Sequence, residues 1–288
     1  MLELSRYAFI AAIAAVSAAL ALHVVAAIPW RGFSVLSLAG RGAMATEASP
    51  AFRATTGRFA ITLGVNAFLF LTAALILRTI EAGHGPFSNM YEFSLAFAWG
   101  TLAIYLYFDA RYRLPAMAFL VLPVALGLLL YATTLSDEIA PLVPALQNDL
   151  LLTIHVAVAI LAYGAFTVAF GAAVLYLIRS HSEVDWLPSH SVLDEVTYRS
   201  VMVGFPMLAL VIILGAVWAE IAWGAYWSWD PKETASLVTW LIYGGYLHAR
   251  VMRGWSGDRS AWFVVGGFAA TMFTYFGNYF FSGLHSYA

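Results

Sequence analysis

Residues Trp218 to Arg250 read WAEIAWGAYWSWDPKETASLVTWLIYGGYLHAR. The first part places Trp223, Tyr226, Trp227 and Trp229 within seven residues, interrupted by Gly224 and Ser228 and stopped by Asp230 and Pro231. The second part is an apolar run that ends on His248. Asp230 suits a helix N-cap, Pro231 the first helical position and Glu233 the far side of a capping box. The stretch therefore predicts an aromatic loop that feeds a membrane helix.

The rest of the chain agrees with a membrane setting. Of 288 residues, 62% are hydrophobic and 10% charged, with a mean hydropathy of +0.81. Soluble domains carry about 25% charged residues. The formal net charge of -2 offers no basic surface for nucleic acid. Cysteine is absent. That excludes disulfides, thiolate metal sites, cysteine nucleophiles and thioether attachment of a cofactor to this chain. Histidine is left as the obvious metal-binding residue.

Hydropathy predicts an all-α polytopic membrane protein with about eight transmembrane helices. They lie near Tyr7–Pro29, Gly57–Ile80, Met90–Phe108, Leu114–Leu135, Leu150–Ile178, Val201–Ala222, Thr234–Ala249 and Ala261–Phe281. The first is too long for a signal-peptide core and reads as a retained helix. Pro115 falls in a first turn, where a missing N–H costs little. Arg179 to Arg199 reads as a polar loop. Loops after odd-numbered helices hold 11 of the 14 basic residues. Basic residues stay cytoplasmic, so both termini and the Trp-rich loop between helices six and seven are expected on the extracytoplasmic side. Lys232, the sole lysine, sits in that loop.

This topology sorts the histidines by depth. His155, about a turn into helix five, and His285, after helix eight, fall near the outer face. His248 falls at the inner end of helix seven. Two neutral imidazoles on opposite faces of a macrocycle complete a six-coordinate iron, and an aromatic platform beside them suits a flat metal-bearing ring. Blander readings compete. A lone intramembrane histidine such as His23 is usually hydrogen-bonded to a neighbouring helix. His181 and His190 read as solvated loop residues, and His84 stays open. Isolated Trp30, Trp186 and Trp255 are ordinary interface residues. The helix start at Asp230 and Pro231 also offers free N–H groups and a positive dipole, which with Lys232 could neutralise a carboxylate.

Trp218 to Arg250 closely resembles the tryptophan-rich "WWD" signature of haem-handling proteins of cytochrome c biogenesis, in the form WGAYWSWDPKE followed by a helix ending YLHAR. Three further segments resemble the same family, the CcsA/ResC branch of System II: GPFSNMYEFSLAFAWG (Gly85–Gly100), LLTIHVAVAILAYGAF (Leu151–Phe166) and GLHSY (Gly283–Tyr287). The resemblance runs from about Gly83 to the C-terminus. Tyr226 stands where some relatives have Trp.

The resemblance implies a haem-delivery and ligation component of cytochrome c maturation. Haem b would occupy one or two positions. His155 and His285 would ligate iron at an external site formed by Trp223, Gly224, Tyr226, Trp227, Trp229, Asp230, Pro231 and Lys232. His248 would ligate a second, transmembrane haem, shared with a ResB/CcsB-like partner. The client would be an apocytochrome c, whose CxxCH segment takes up the haem by thioether bonds. The chain is then one membrane domain over 1–288: a first helix and basic inner loop (1–56), and a haem-handling bundle (57–288) carrying the external loop 218–234. No acid–base pair of the soluble-enzyme type is visible, so any synthase (haem lyase) activity would be that of a template within a complex. The bacterial cytoplasmic membrane is the expected location, a thylakoid membrane the alternative. A b-type electron-transfer cytochrome and a System I relative are the competing assignments.

Overall fold

In hydrocarbon, backbone N–H and C=O groups find partners only within the chain, so an apolar polypeptide of this kind folds as helices. The computed structural model describes residues 1–27, 50–139, 149–182, 186–277, 281 and 283–285. They form α1 (Leu2–Ala27), α2 (Pro50–Ala82), α3 (Met90–Tyr112), α4 (Ala118–Ala132), α5 (Asp149–His181), α6 (His190–Trp223), α7 (Pro231–Arg253) and α8 (Asp258–Phe276). A 3-10 turn, Pro115–Met117, precedes α4. Six helices among the described residues are long and apolar enough to cross a membrane: α1, α2, α3, α4 with its 3-10 turn, α5 and α6. The all-α polytopic expectation holds. α7 and α8 are the more polar pair: α7 opens on Lys232 and Glu233, and α8 on Asp258 and Arg259.

The helices overrun several expected boundaries. Most of the polar stretch Arg179–Arg199 is helical, because α5 continues to His181 and α6 begins at His190. Its charges hide a helical period: Leu193, Val196, Thr197 and Ser200 are all buried, at the spacing of one helix face. Ser189 is the extended N-cap residue. His181 and His190 are therefore helix-end residues. His23 is 2% exposed on α1, and its Nε2 has no hydrogen-bond partner among the described residues. The expected bond to a neighbouring helix is not made by that nitrogen.

α5 is the central helix, packed against α3, α4, α6 and α8. Small residues let the backbones close up, as membrane helix interfaces require. A Cβ on Gly164 would lie 2.8 Å from the carbonyl oxygen of Gly100 on α3. The Phe166 ring fills the space over Gly204 of α6 and stacks on Tyr243 of α7, with centroids 3.7 Å apart. The Tyr243 ring in turn rests on Gly267 of α8. One ring-on-glycine stack thus spans four helices.

A second fixture sets the start of α3. Arg78 and Glu92 are 1% and 0% exposed and pair at 2.5 Å. The other Glu92 oxygen accepts from the Ser88 N–H and hydroxyl, both at 2.7 Å, while Asn89 caps the Glu92 N–H at 2.9 Å. The Arg78 guanidinium also lies over the Tyr91 ring. Removing one member of a buried pair leaves an uncompensated charge, at a cost of about 3–5 kcal/mol. Glu92→Gln is therefore expected to lower the thermal unfolding midpoint of the detergent-solubilised protein sharply. An unchanged midpoint would show that the pair does not hold α3.

Candidate functional site

The aromatic stretch resolves into a helix end, a loop and a helix start. α6 stops at Trp223 because Gly224 takes a left-handed conformation (φ 75°) and returns its N–H to the Glu220 carbonyl. α7 starts with the capping box that the sequence implied. The Lys232 N–H donates to Asp230 Oδ2 at 3.0 Å, and Glu233 Oε2 accepts from the N–H groups of Asp230 and Ser228. Pro231 occupies the first helical position.

Between these ends, α3, α5, α6 and α8 leave an open cleft with a cavity volume of about 140 Å³. His155 and His285 both line it, 130 residues apart in the chain. Tyr226, Trp227 and Lys232 line it from the loop and the first turn of α7. Apolar and aromatic walls come from Met90, Phe93 and Phe97 of α3 and Tyr163 of α5. Trp223 stands behind His285, edge to ring at 4.8 Å. Trp229 is 69% exposed, outside the lining, and takes φ 57°, a left-handed value unusual for a bulky side chain. Gly224 and Pro231 shape the backbone and do not line the cleft.

Asp230 organises the rim. It is 5% exposed and accepts from three donors: the Lys232 N–H, the Leu284 N–H at 2.6 Å and His285 Nδ1 at 2.8 Å. A Cβ on Gly283 would run into Asp230 Oδ1, so only glycine lets the terminal segment sit this close. An ionised carboxylate accepts but does not donate. Nδ1 of His285 therefore carries the proton of the neutral ring, and Nε2 is its basic nitrogen.

Electrostatics favour the ligand form. Burial, followed by the Lys232 charge, pushes the His285 imidazole down to about 4 against the upward pull of Asp230. Burial pushes Lys232 down to about 8, with Asp230 opposing. Burial raises Asp230, but the Lys232 N–H and the bonds from His285 and Leu284 outweigh it and hold the carboxyl below its usual range. The rim thus combines a neutral imidazole, a cation and an anion already engaged in hydrogen bonds.

His155 has a different setting. Its Cε1 would lie 3.1 Å from a Cβ on Gly215, so the ring rests on the bare backbone of α6. Its Nδ1 is buried without a well-formed hydrogen bond among the described residues, although the Val211 backbone interacts with the ring. A buried polar atom of this kind is costly unless a ligand or water satisfies it. Two imidazoles, aromatic walls and a rim cation fit an iron macrocycle bearing carboxylates.

His248 lies elsewhere. It is exposed, on a strip of α7 with Val238, Leu241 and Met252. Sixteen residues separate it from Lys232, about 24 Å along a helix. His84 bonds the carbonyl of its neighbour Gly85 and is not in the cleft lining.

Sequence reasoning passed over Tyr163, Gly215, Trp218 and Glu233, which all line the cleft. Tyr163 was reachable, since Leu152, His155, Val156, Ala159 and Tyr163 share one face of α5 at helical spacing. Trp218 packs on Trp223 and His285 from one turn back on α6. Nothing local marks Gly215.

Comparison with known proteins agrees with this architecture. Residues 87–285 match the family described as "Cytochrome C assembly protein". "Cytochrome c biogenesis protein CcsA" of Guillardia theta is 36% identical over 266 residues, covering 82% of this chain and 88% of the relative. The protein of the same description from Synechococcus sp. (strain RCC307) is 38% identical over 269 residues, covering 82% and 86%. That from Gloeobacter violaceus is 36% identical over 283 residues, covering 77% and 83%. Among solved structures, "Cytochrome c Heme Lyase CcmF" superposes with a TM-score of 0.63 at 22% identity, over 96% of this chain and 46% of the other, a likeness of fold. On the family match and these relatives, the chain belongs to the CcsA family of cytochrome c assembly proteins.

Proposed function

We propose that this multi-pass membrane protein, a component of cytochrome c maturation, holds haem b in the cleft between His155 and His285 and presents it to an apocytochrome c. The observation that carries the reading is the convergence of both histidines, Tyr226, Trp227 and Lys232 on one cleft at the N-terminal end of α7. The distribution of basic residues assigns that end, and both termini, to the outside of the membrane. Bound there, haem would supply an iron that takes imidazole ligands and two vinyl groups able to take up cysteine thiols. The chain supplies orientation and protection. His155 and His285 would ligate the iron. Trp227 and Tyr226 offer stacking surface and edge contacts that fix the rotation of the ring. Lys232 and the α7 N-terminus, with its positive dipole, receive a propionate. Asp230 acts one step back, on His285.

His248 serves a second haem position. A histidine on the lipid-facing strip of a membrane helix is expensive without a partner. A ResB/CcsB-like protein docked on that strip supplies a second imidazole. The membrane is the bacterial cytoplasmic membrane on this reading.

A reduced-minus-oxidised visible spectrum of the purified chain with its partner tests the scheme. A low-spin b-type spectrum is expected, altered in each of His155→Ala, His248→Ala and His285→Ala. A folded complex without any haem absorbance, prepared with ample haem, would overturn it. Trp227→Ala removes a stacking contact of about 0.5–1.5 kcal/mol. Haem dissociation from the cleft is therefore expected to quicken by about two- to tenfold, with thermal unfolding little changed. Unaltered dissociation would remove Trp227 from the platform.

A further inference from the structure

The two histidines of the cleft stand in unequal surroundings. His285 is fixed from behind: Nδ1 donates to Asp230 Oδ2, while Trp223 and Trp218 pack against the ring with centroids 4.8 and 5.7 Å away. Asp230 is itself pinned by the Lys232 and Leu284 N–H groups. Among the described residues, no carboxylate bonds to His155. Its Nδ1 is buried without a good hydrogen bond among the described residues, and its ring leans on the bare backbone at Gly215. A carboxylate behind a ligating imidazole fixes the tautomer, locks the ring and makes the other nitrogen more basic, and its loss weakens metal binding by about 10–100-fold.

We propose that Asp230 is the positioning residue that makes His285 the retained haem ligand, and that His155 is the weaker ligand, the one that yields to a histidine of the client polypeptide. The inference rests on the haem reading above. In such an exchange the bond from His155 to iron would break as the bond from the incoming histidine formed. Both imidazoles are neutral before and after, and no electron moves. The built-in asymmetry gives the site a direction. If both ligands were held equally, the client would displace either, and the ring would be free to leave from either face. With His285 held fast, one face of the ring stays on the platform while the other is offered.

The division of labour also gives Asp230 two separable duties. As N-cap it starts α7, a role that Asn fills about as well as Asp. As a carboxylate it polarises His285, which Asn cannot do. Gly283→Ala separates them from the other side. Its Cβ collides with Asp230 Oδ1 and also crowds Pro231 Cδ at 2.9 Å, so it pushes the terminal segment that carries His285 away from Asp230, and the unfolding midpoint reads any effect on the cap.

The test uses the full chain with its partner, loaded with haem, and follows haem loss to an added apo-globin by absorbance. His155→Ala is expected to keep its haem, with loss accelerated less than tenfold. His285→Ala is expected to lose it at least tenfold faster than His155→Ala. Asp230→Asn and Gly283→Ala are each expected to speed loss by about tenfold in the wild-type and His155→Ala backgrounds, and to add nothing to His285→Ala. Thermal unfolding of Asp230→Asn close to wild type would show that the cap survives. Equal loss from the two histidine variants, or an Asp230→Asn effect as large in the His285→Ala background, would overturn the inequality and leave the haem site standing. A wild-type complex that takes up no haem would overturn both.

Discussion

One buried carboxylate ties the fold to the site. Asp230 satisfies its charge with the N–H of Lys232, the N–H of Leu284 and the imidazole of His285, drawing the first turn of α7 and the terminal segment onto a single point. Hydrogen bonds to charged groups contribute about 1.5–3 kcal/mol each, enough to hold Leu284 and His285 at the start of α7. The direction of α7 at its start decides where Lys232 and Glu233 point, and both point into the cleft. The same cap that ends the aromatic loop therefore sets the electrostatics of the rim. A change at position 230 acts on helix, tail and ligand together, which is why the conservative Asn and the remote Gly283 are the informative probes.

Below that rim the construction is different in kind. The cleft floor is made of rings locked against glycines and against each other. Phe97 meets Tyr163 at 4.9 Å and Tyr275 at 5.2 Å, and the Tyr275 hydroxyl pairs with Ser94 at 2.9 Å. Deeper still, Phe166 and Tyr243 are stacked between Gly204 and Gly267. Within lipid there is no hydrophobic drive to bring helices together, so close packing of this sort and interhelical hydrogen bonds carry the association. Thr239 and Thr274 pair across α7 and α8 at 3.0 Å for the same reason. The floor is consequently stiff, and the exposed rings of the site are confined to the loop after Trp223.

The contrast explains what could be read from sequence. The WSWDPKE segment announced a helix start through local chemistry alone, and the cap, the proline and the Glu233 return bond all lie within six residues. The placing of His155 and His285 near one end of the bundle followed from counting spans and charges. The link between Asp230 and His285 did not, because it joins residues 55 apart whose meeting depends on how α7 and α8 pack. Trp229 illustrates the opposite limit. Clustering suggested that all four aromatics share one task, but a left-handed backbone at Trp229 turns its ring away from the cleft. Composition counts rings, whereas φ and ψ aim them. The early start of α6 was hidden by charges on its solvated face, where Arg199 pairs with Glu195 one turn away.

On the proposed reading, the exposed rings follow from what a delivery site has to do. A cofactor buried on all sides is held well but cannot be handed over. Tyr226 lines the cleft yet remains 61% exposed, and Trp229, set edge-on to Trp227 at 5.7 Å, is 69% exposed. Holding Trp229 in a left-handed conformation costs roughly 1–3 kcal/mol, so the loop is kept in this form by its neighbours: Gly224 behind it, and the Glu233 carboxylate, which binds the N–H groups of Ser228 and Asp230 on either side of Trp229. On the proposed reading, the cleft grips one edge and one axial face of the macrocycle. The aromatic rim leaves the opposite edge in reach of a polypeptide. The geometry that orients the ring is then also the geometry that lets it go.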